Sequence, residues 1–293
     1  MYSDLLGGTR QKINLHTHTN LSDGHKSPED VCRIYRNAGY DAIALTDHWE
    51  VGPESTFEGM TVLSGVEYNT PGCNCSKDLF HILGIGFASA PEGLTRQCTA
   101  QGIIDAIRAA DGLVVLAHPA WSLNTPEMIL PLEGVDATEI YNTISGVHMS
   151  RRADSSLIVD MLACRGRIYP LLATDDAHYY DSDGPVSYIM AEAEDNATAS
   201  IVSAVREGRF YATQGPEIHL WREDDTMVVR CSPCREVIFH SNMGWSPRVF
   251  VGDGLEEARY KIYGEDAFIR AEAVDVYGRR AWTNYVPLSR PGS

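Results

Sequence analysis

The amino-acid sequence predicts an α/β protein with a largely parallel sheet, followed by a small antiparallel β-sandwich. Short apolar runs alternate with amphipathic segments as far as Gly208, which is the pattern of buried strands connected by helices. After about Gly215 the runs become short and strand-like, with turn residues between them and no convincing helix. We therefore expect two domains, residues 1–214 and residues 215–293.

The first domain is interpreted as successive strand–helix units. Residues 12–19 form the first strand, and Ser27 begins a helix as its N-cap, with Pro28 at the first helical position. Residues 42–46 and 113–117 are continuous apolar runs, typical of strands buried on both faces. Further strands are expected over residues 60–65, 79–86, 137–142, 168–174 and 187–193, and further helices over 100–110, 151–164 and 197–207.

The second domain is expected to contain only strands and turns. We interpret His219 and His240 as ordinary strand histidines, and Trp245, Trp282 and Tyr285 as core aromatics rather than a partner surface. The domain could cap the first one, bind a partner or mediate homo-oligomerisation. Its strands are expected over residues 217–222, 227–231, 236–240, 258–263, 268–275 and 281–285.

Composition narrows the classes of function. The chain has 293 residues, of which 44% are hydrophobic and 22% charged, and its formal net charge is −16. So acidic a surface disfavours avid duplex nucleic-acid binding, which needs basic patches. No apolar run approaches the roughly 18 residues of a membrane helix, and the first residues show no basic and then apolar leader. We expect a cytoplasmic protein without a membrane anchor.

The seven cysteines are an odd number spread along the chain, which does not resemble a disulfide framework. Two close pairs occur, Cys73 with Cys75 and Cys231 with Cys234. A structural zinc site built from both pairs is the alternative, but neither pair repeats the usual spacing of zinc ligands. We expect reduced thiols.

Potential metal ligands recur where predicted strands stop. His16 and His18 alternate along the end of the first strand, so their side chains share one face. Active sites of closed α/β barrels form at the carboxyl ends of the strands, where the loops converge. The candidate ligands, which include seven of the ten histidines, are His16, His18, Asp23, His48, Glu67, His81, His118, His148, Asp176 and His178.

This set of donors favours some metals over others. A mixture of imidazole and carboxylate favours Zn, Mn or Fe over Ca or Mg. The ligands are too many for one ion, so we expect two or three, with Glu67 as the natural bridging carboxylate. Closely spaced ions clamp the attacking and leaving oxygens in phosphoryl transfer.

The same residues form a series of motifs that resembles the polymerase and histidinol phosphatase (PHP) family, in its small metal-dependent phosphoesterase branch. The similarity runs in order over roughly residues 12–210. The resemblance implies a distorted (β/α)7 barrel, a di- or trinuclear metal centre and phosphoester hydrolysis. The motifs are His16-Thr17-His18, Ser22-Asp23-Gly24, Thr46-Asp47-His48, Gly65-Val66-Glu67, His81-Ile82-Leu83-Gly84, Ala117-His118-Pro119 and Asp176-Ala177-His178.

The resemblance also implies three metal positions. Their donors are His16, His18, Glu67 and Asp176 for the first ion, Glu67, His118 and His148 for the second, and Asp23, His48 and His178 for the third.

Some residues keep alternative interpretations. His81 could be a ligand, a phosphate contact or a residue that orients a ligand. His148 could instead be a loop or helix-start histidine, and His25 fits solvent better than a metal. Arg151 and Arg152 could grip phosphate bidentately, with a solvated basic pair as the alternative.

Two features depart from the family pattern. Asn14 stands where many family members have Asp, which would change how the paired histidines are oriented. Only 36 residues separate His81 from His118, so a large helical insertion that covers the substrate in some relatives is missing.

The predicted reaction is hydrolysis of a small phosphorylated substrate, a phosphomonoester or small phosphodiester, by a metal-activated hydroxide. The residues assigned to catalysis are Glu67, Asp176, His178, Arg151 and Arg152, with His178 or Asp175 as a proton shuttle. Two alternatives remain: C–N or C–O hydrolysis of the amidohydrolase type, and a non-catalytic metal-binding sensor or scaffold.

Overall fold

The computed structural model describes residues 1–72 and 78–288. In this part of the chain the helices are α1 (Pro28–Asn37), α2 (Ala100–Ala109), α3 (Pro126–Ile129), α4 (Thr143–Val147), α5 (Ser156–Cys164) and α6 (Thr198–Arg206). The strands are β1 (Tyr2–Ser3), β2 (Thr9–Asn14), β3 (Ala42–Ala44), β4 (Ser55–Phe57), β5 (Met60–Leu63), β6 (Gly65–Asn69), β7 (His81–Ile85), β8 (Leu113–Leu116), β9 (Ala137–Asn142), β10 (Leu171–Thr174), β11 (Tyr188–Ala191), β12 (Phe210–Thr213), β13 (Ile218–Glu223), β14 (Thr226–His240), β15 (Val249–Lys261), β16 (Phe268–Val274), β17 (Arg280–Thr283) and β18 (Val286–Pro287).

The strands form two mixed sheets, which corrects the expectation of a largely parallel one. The first has the order β13-β14-β16-β17-β12-β11-β2-β3-β5-β4, and the second the order β10-β9-β8-β7-β6. The β2–β3–β5 and β8–β9–β10 pairs are parallel, whereas β7 is antiparallel to both of its neighbours, β6 and β8. The described residues between β6 and β7 contain no helix, and a loop is sufficient to connect antiparallel strands.

The two sheets meet where the site lies. Ser64 alone separates β5 of the first sheet from β6 of the second. Isolated parallel bridges join His48 to Glu67 and Thr17 to Ala177. Continuous hydrogen-bonded pairing around a closed barrel is not detected in the described ranges.

Apolar side chains from both sheets share one core. Ile13 of β2, Leu83 of β7, Val115 of β8 and Leu172 of β10 are fully buried in the same cluster. Burying one such side chain stabilises the fold by roughly 1.5–3 kcal/mol. Helix α1 begins as expected, because the Ser27 side chain accepts a hydrogen bond from the amide of Asp30.

Helix α5 begins later than residue 151. Asp154 forms an isolated bridge with Tyr141, and its carboxylate accepts the amide of Ser156. The backbone groups before α5 are therefore occupied by local side-chain and strand-like hydrogen bonds, and they are not available for helical ones. The chain therefore enters α5 only at Ser156.

The C-terminal strands are antiparallel and continue the first sheet, because β17 pairs with β12. They also contact α5, where the fully buried Arg270 of β16 donates to both oxygens of Asp160. Cys231 and Cys234 are free thiols with Sγ atoms 3.6 Å apart. The other expected pair, Cys73 and Cys75, lies outside the described residues. None of the helices in residues 1–72 and 78–288 is long and apolar enough to cross a membrane.

Candidate metal centre

The paired histidines follow β2 and are held by backbone hydrogen bonds. Asn14 accepts the amide of His16 through its side-chain oxygen, and the carbonyl of His16 accepts the amide of Asp176. The amide of His18 donates to the carbonyl of Ala177. Both rings are completely buried. The ends of β2 and β10 are thereby fixed side by side, as the strand-end pattern predicts.

Four donor atoms converge in a first group. His16 Nε2 and His18 Nε2 lie 3.2 Å apart, and Glu67 Oε2 lies 3.3 Å and 3.1 Å from them. Asp176 Oδ1 lies 3.1 Å from His16 Nε2 and 3.0 Å from His18 Nε2. Tetrahedral donors at about 2.0–2.1 Å from a zinc-sized ion stand about 3.3–3.4 Å apart. The spacing of the four atoms therefore fits a single ion.

The hydrogen-bonding state of this group agrees with that fit. Asp176 Oδ1 is buried and has no hydrogen-bond partner among the described atoms, although two imidazole nitrogens face it. Asp176 and His118, both at strand ends, have positive φ angles of 52° and 27°. Non-glycine residues adopt such angles only when the surrounding structure holds them there. The backbone thus directs both side chains inward at an energetic cost.

The charges of the first group are strongly coupled. Burial alone would lower the pKa of His16, but the carboxylates of Asp176 and Glu67 outweigh it and raise that pKa well above its ordinary value. His18 behaves in the same way, and its pKa rises to about 9. Burial opposes ionisation of Glu67, yet the surrounding histidines hold its pKa well below the usual range. Protons on the histidines therefore balance the carboxylate charge that a bound cation would otherwise balance.

A second group surrounds the half-exposed Asp23. Its oxygens lie 3.4 Å from His178 Nε2, 3.7 Å from His48 Nε2 and 3.5 Å from His18 Nδ1. Burial alone would raise the pKa of Asp23. The hydrogen bond from His178 and the charge of His48 outweigh burial, so this pKa is lowered below its ordinary value. His18 therefore faces the first group with Nε2 and the second group with Nδ1.

A third group forms on the other side of Glu67. His81 Nδ1 lies 2.8 Å and His118 Nε2 3.3 Å from Glu67 Oε1, while His48 Nδ1 lies 3.2 Å from Oε2. His118 is oriented by Ser122, whose hydroxyl is 3.1 Å from His118 Nδ1. His81 is thus among the donors, in the place for which the sequence suggested His148.

The structure does not bring His148 into these groups. Its Nε2 lies 2.8 Å from Asp181 Oδ1 and 3.0 Å from the hydroxyl of Ser182. Its ring packs against Tyr179 at a centroid distance of 4.6 Å. His148 follows α4 at its C-cap, which directs the ring toward the loop after His178. His25 also contacts the ring of Tyr179, at a centroid distance of 4.6 Å, and is exposed, as expected of a solvent-facing residue.

The predicted phosphate-gripping arginines are also outside the site. Arg151 is exposed and donates to the carbonyl of Gly146, and Arg152 is exposed. Asp175 points away from the donors and is held by Asn14, Tyr35 and the amide of Ser187. Burial raises the pKa of Asp175 to about 7.

The donors open into a cavity of about 110 Å³. Within the described residues its lining contains no lysine or arginine. The lining consists of Asp23, His48, Glu67, His81, His118, Trp121, Ile144, Ser145, Met149, Asp176 and His178.

Glu139 is a site residue that the sequence interpretation missed. It is fully buried on β9, and its Oε1 accepts from His16 Nδ1 at 2.7 Å and from the hydroxyl of Thr174 at 2.6 Å. Its Oε2 accepts the amide of His118 at 2.8 Å and the side-chain amide of Asn142 at 2.9 Å. A carboxylate within a buried strand was the signal for it, because an ionised side chain is buried only when it is paired.

Together these features define an α/β protein with a histidine- and carboxylate-rich centre at its strand ends. The sequence model of the PHP domain matches residues 14–211, which is more than half of the chain. The chain belongs to the PHP domain family. A search of curated proteins gave no match.

One solved structure is similar in fold over nearly the whole chain, and two others match less of it. A two-domain protein from Bacteroides vulgatus, with a domain predicted to be a PHP-like metal-dependent phosphoesterase, shares 15% identity at a TM-score of 0.56, covering 99% of this chain and 97% of its own. An amidohydrolase from Chromobacterium violaceum with bound sulfate shares 17% identity at a TM-score of 0.44, covering 58% and 89%. A presumed metal-dependent phosphoesterase from Bifidobacterium adolescentis shares 14% identity at a TM-score of 0.43, covering 66% and 94%.

Proposed function

We propose that this protein is a metal-dependent phosphoesterase, a hydrolase of phosphomonoesters or small phosphodiesters at a di- or trinuclear centre. The observation that carries the proposal is the position of Glu67. Its Oε2 faces His16, His18 and His48, and its Oε1 faces His81 and His118. A carboxylate with different donors on each oxygen suits a bridge between neighbouring ions, and membership of the PHP family supports the same reaction class.

The proposed donor sets follow from the three groups. We assign His16, His18, Glu67 and Asp176 to the first ion, Asp23, His48 and His178 to another, and Glu67, His81 and His118 to a third. Zn, Mn or Fe fits these imidazole and carboxylate donors. We also infer that the two sheets act as halves of a distorted barrel, with the centre at its rim and residues 215–293 as an attached β domain.

The chemistry divides between the ions and the chain. Such ions, when bound, act as Lewis acids and make hydroxide available near neutral pH. The chain holds the donors rigidly, through Glu139 on His16 and Ser122 on His118. Because no lysine or arginine lines the cavity within the described ranges, the charge of a phosphoryl group has to be balanced by cations held on these donors.

The lack of lysine and arginine in the described lining of the cavity also favours the second candidate, an amidohydrolase-type C–N or C–O hydrolase. An uncharged substrate does not need a cationic side chain in the cavity, and the polarising ion would be the same. A non-catalytic sensor is disfavoured, because the centre holds three overlapping groups of potential ligands, and within each group the ligand atoms lie within 4.8 Å of one another.

One activity screen separates these functions. The protein would be reconstituted with Zn, Mn or Fe and tested against phosphomonoesters, phosphodiesters, amides and lactones. We expect turnover of phosphoesters, and turnover confined to amides or lactones would select the second candidate.

Glu67→Gln tests the bridging role. We expect it to abolish turnover, with the exposed Glu50→Gln as the matched control that retains it. Full activity and full metal content in Glu67→Gln would contradict the bridging role.

A further inference from the structure

The side chains that line the cavity at the candidate metal centre are of two chemical kinds. We call the donors among them the donor wall, and Trp121, Ile144 and Met149 the apolar wall. Ser145 also lines the cavity, and its hydroxyl hydrogen is donated to Asn142 Oδ1 at 2.7 Å.

The small volume determines what can occupy each wall. The cavity, of about 110 Å³, is small. A phosphoryl group on the donor wall would use most of that space. The organic part of an ester would then extend out of the cavity, and Met149 of the apolar wall, which is 43% exposed, provides an apolar surface that reaches solvent.

Trp121 is a fixed part of this wall. Its ring packs against those of His118 and His81 at centroid distances of 5.0 and 5.5 Å, with interplanar angles of 79° and 70°. The loop that carries it is held by the amide of Ala120, which donates to Ser155, and by Asn124, which donates to the carbonyl of Leu79. A held aromatic ring offers contact area at a small cost in conformational entropy.

We propose that Trp121, with Ile144 and Met149, forms a subsite for an uncharged, apolar or aromatic organic group next to the ester oxygen, and that Trp121 sets this specificity. The proposal rests on the proposed phosphoesterase function. It disfavours substrates with a second phosphate within the cavity, because no lysine or arginine of the described chain lines it.

Two phosphomonoesters with alcohol leaving groups of similar acidity test the subsite, 2-phenylethyl phosphate and 2-hydroxyethyl phosphate. Because aromatic contacts contribute about 0.5–1.5 kcal/mol, we expect kcat/KM to be roughly two- to thirteenfold higher for the phenylethyl ester. Trp121→Ala should bring that ratio close to one with metal content unchanged, and Trp121→Phe should keep part of it. Leu123→Ala, on the same loop and outside the cavity, should leave it unchanged.

A ratio near one in the native protein, or a ratio unaffected by Trp121→Ala, would overturn the subsite. If neither ester is hydrolysed, the phosphoesterase function fails instead. The subsite is then tested separately, by calorimetry. The measurement compares the binding of the non-hydrolysable 2-phenylethyl and 2-hydroxyethyl phosphonates to the metal-loaded protein. Equal affinities would refute it, and a preference for the phenylethyl compound that disappears in Trp121→Ala would support it.

Discussion

Replacing Glu139 by Gln tests how this buried carboxylate, beneath the candidate metal centre, affects metal binding. Glu139 accepts four hydrogen bonds, two on each oxygen. Burial would raise its pKa, but the neighbouring His16 lowers it below the ordinary value, so the carboxylate is ionised. Gln has nearly the same shape but replaces one acceptor oxygen by a donor.

Neither orientation of the new amide suits the site. With its NH2 at the Oε2 position, it would face the amide of His118 and the side-chain NH2 of Asn142, which are donors only. With its NH2 at the Oε1 position, it would make His16 Nδ1 an acceptor. The ring proton of His16 would then move to Nε2, the atom that faces Glu67 and Asp176. A protonated Nε2 cannot bind a metal.

The expected cost follows from these contacts. Hydrogen bonds to charged groups contribute about 1.5–3 kcal/mol, and loss of an outer partner typically weakens metal affinity about 10–100-fold. We therefore expect Glu139→Gln to weaken one metal equivalent, the ion at His16, by that factor.

Competition with a chromophoric chelator measures the affinity of each equivalent. Glu272→Gln is the matched control, since Glu272 is also buried but contacts Arg280 in the C-terminal strands. It should leave all metal affinities unchanged. Wild-type affinity for every equivalent in a folded Glu139→Gln protein would refute the argument.

Three further outcomes are expected. Asp23→Ala should lose one metal equivalent by elemental analysis, and loss of all equivalents would contradict a separate second group. His81→Ala should also lose one equivalent, whereas His148→Ala should retain all of them, and the reverse result would restore the assignment made from sequence. Asp160→Asn should lower the free energy of unfolding at pH 7 by roughly 3 kcal/mol, because it leaves the buried Arg270 guanidinium unpaired. Burial opposes ionisation of Asp160, but Arg270 holds its pKa below the usual value. The native protein should therefore keep this stabilisation above about pH 4 and lose it as the pH falls through the lowered pKa, whereas the variant should lack that part of the acid dependence in chemical denaturation.

Sequence reasoning located most of the side chains that the structure brings together, but not all of their partners. His16, His18, Glu67, His118 and Asp176 could be located, because apolar runs show where strands stop and polar residues follow. The position of His148 could not, because it depends on how α4 ends and on Asp181 in a distant loop. The mixed sheets could not be predicted either, since short apolar strands look alike whether their neighbours run parallel or antiparallel.

The surroundings of Asn14 explain why an amide side chain suits this position. Its side chain accepts the amide of His16 and donates to Asp175 at 2.6 Å. An Asp at this position would accept the first bond equally well but would place a second buried carboxylate against Asp175, whose pKa burial already raises to about 7. The neutral amide therefore holds the paired histidines without adding charge. Asn14 thus suits the buried acid beneath it, a partner 161 residues away.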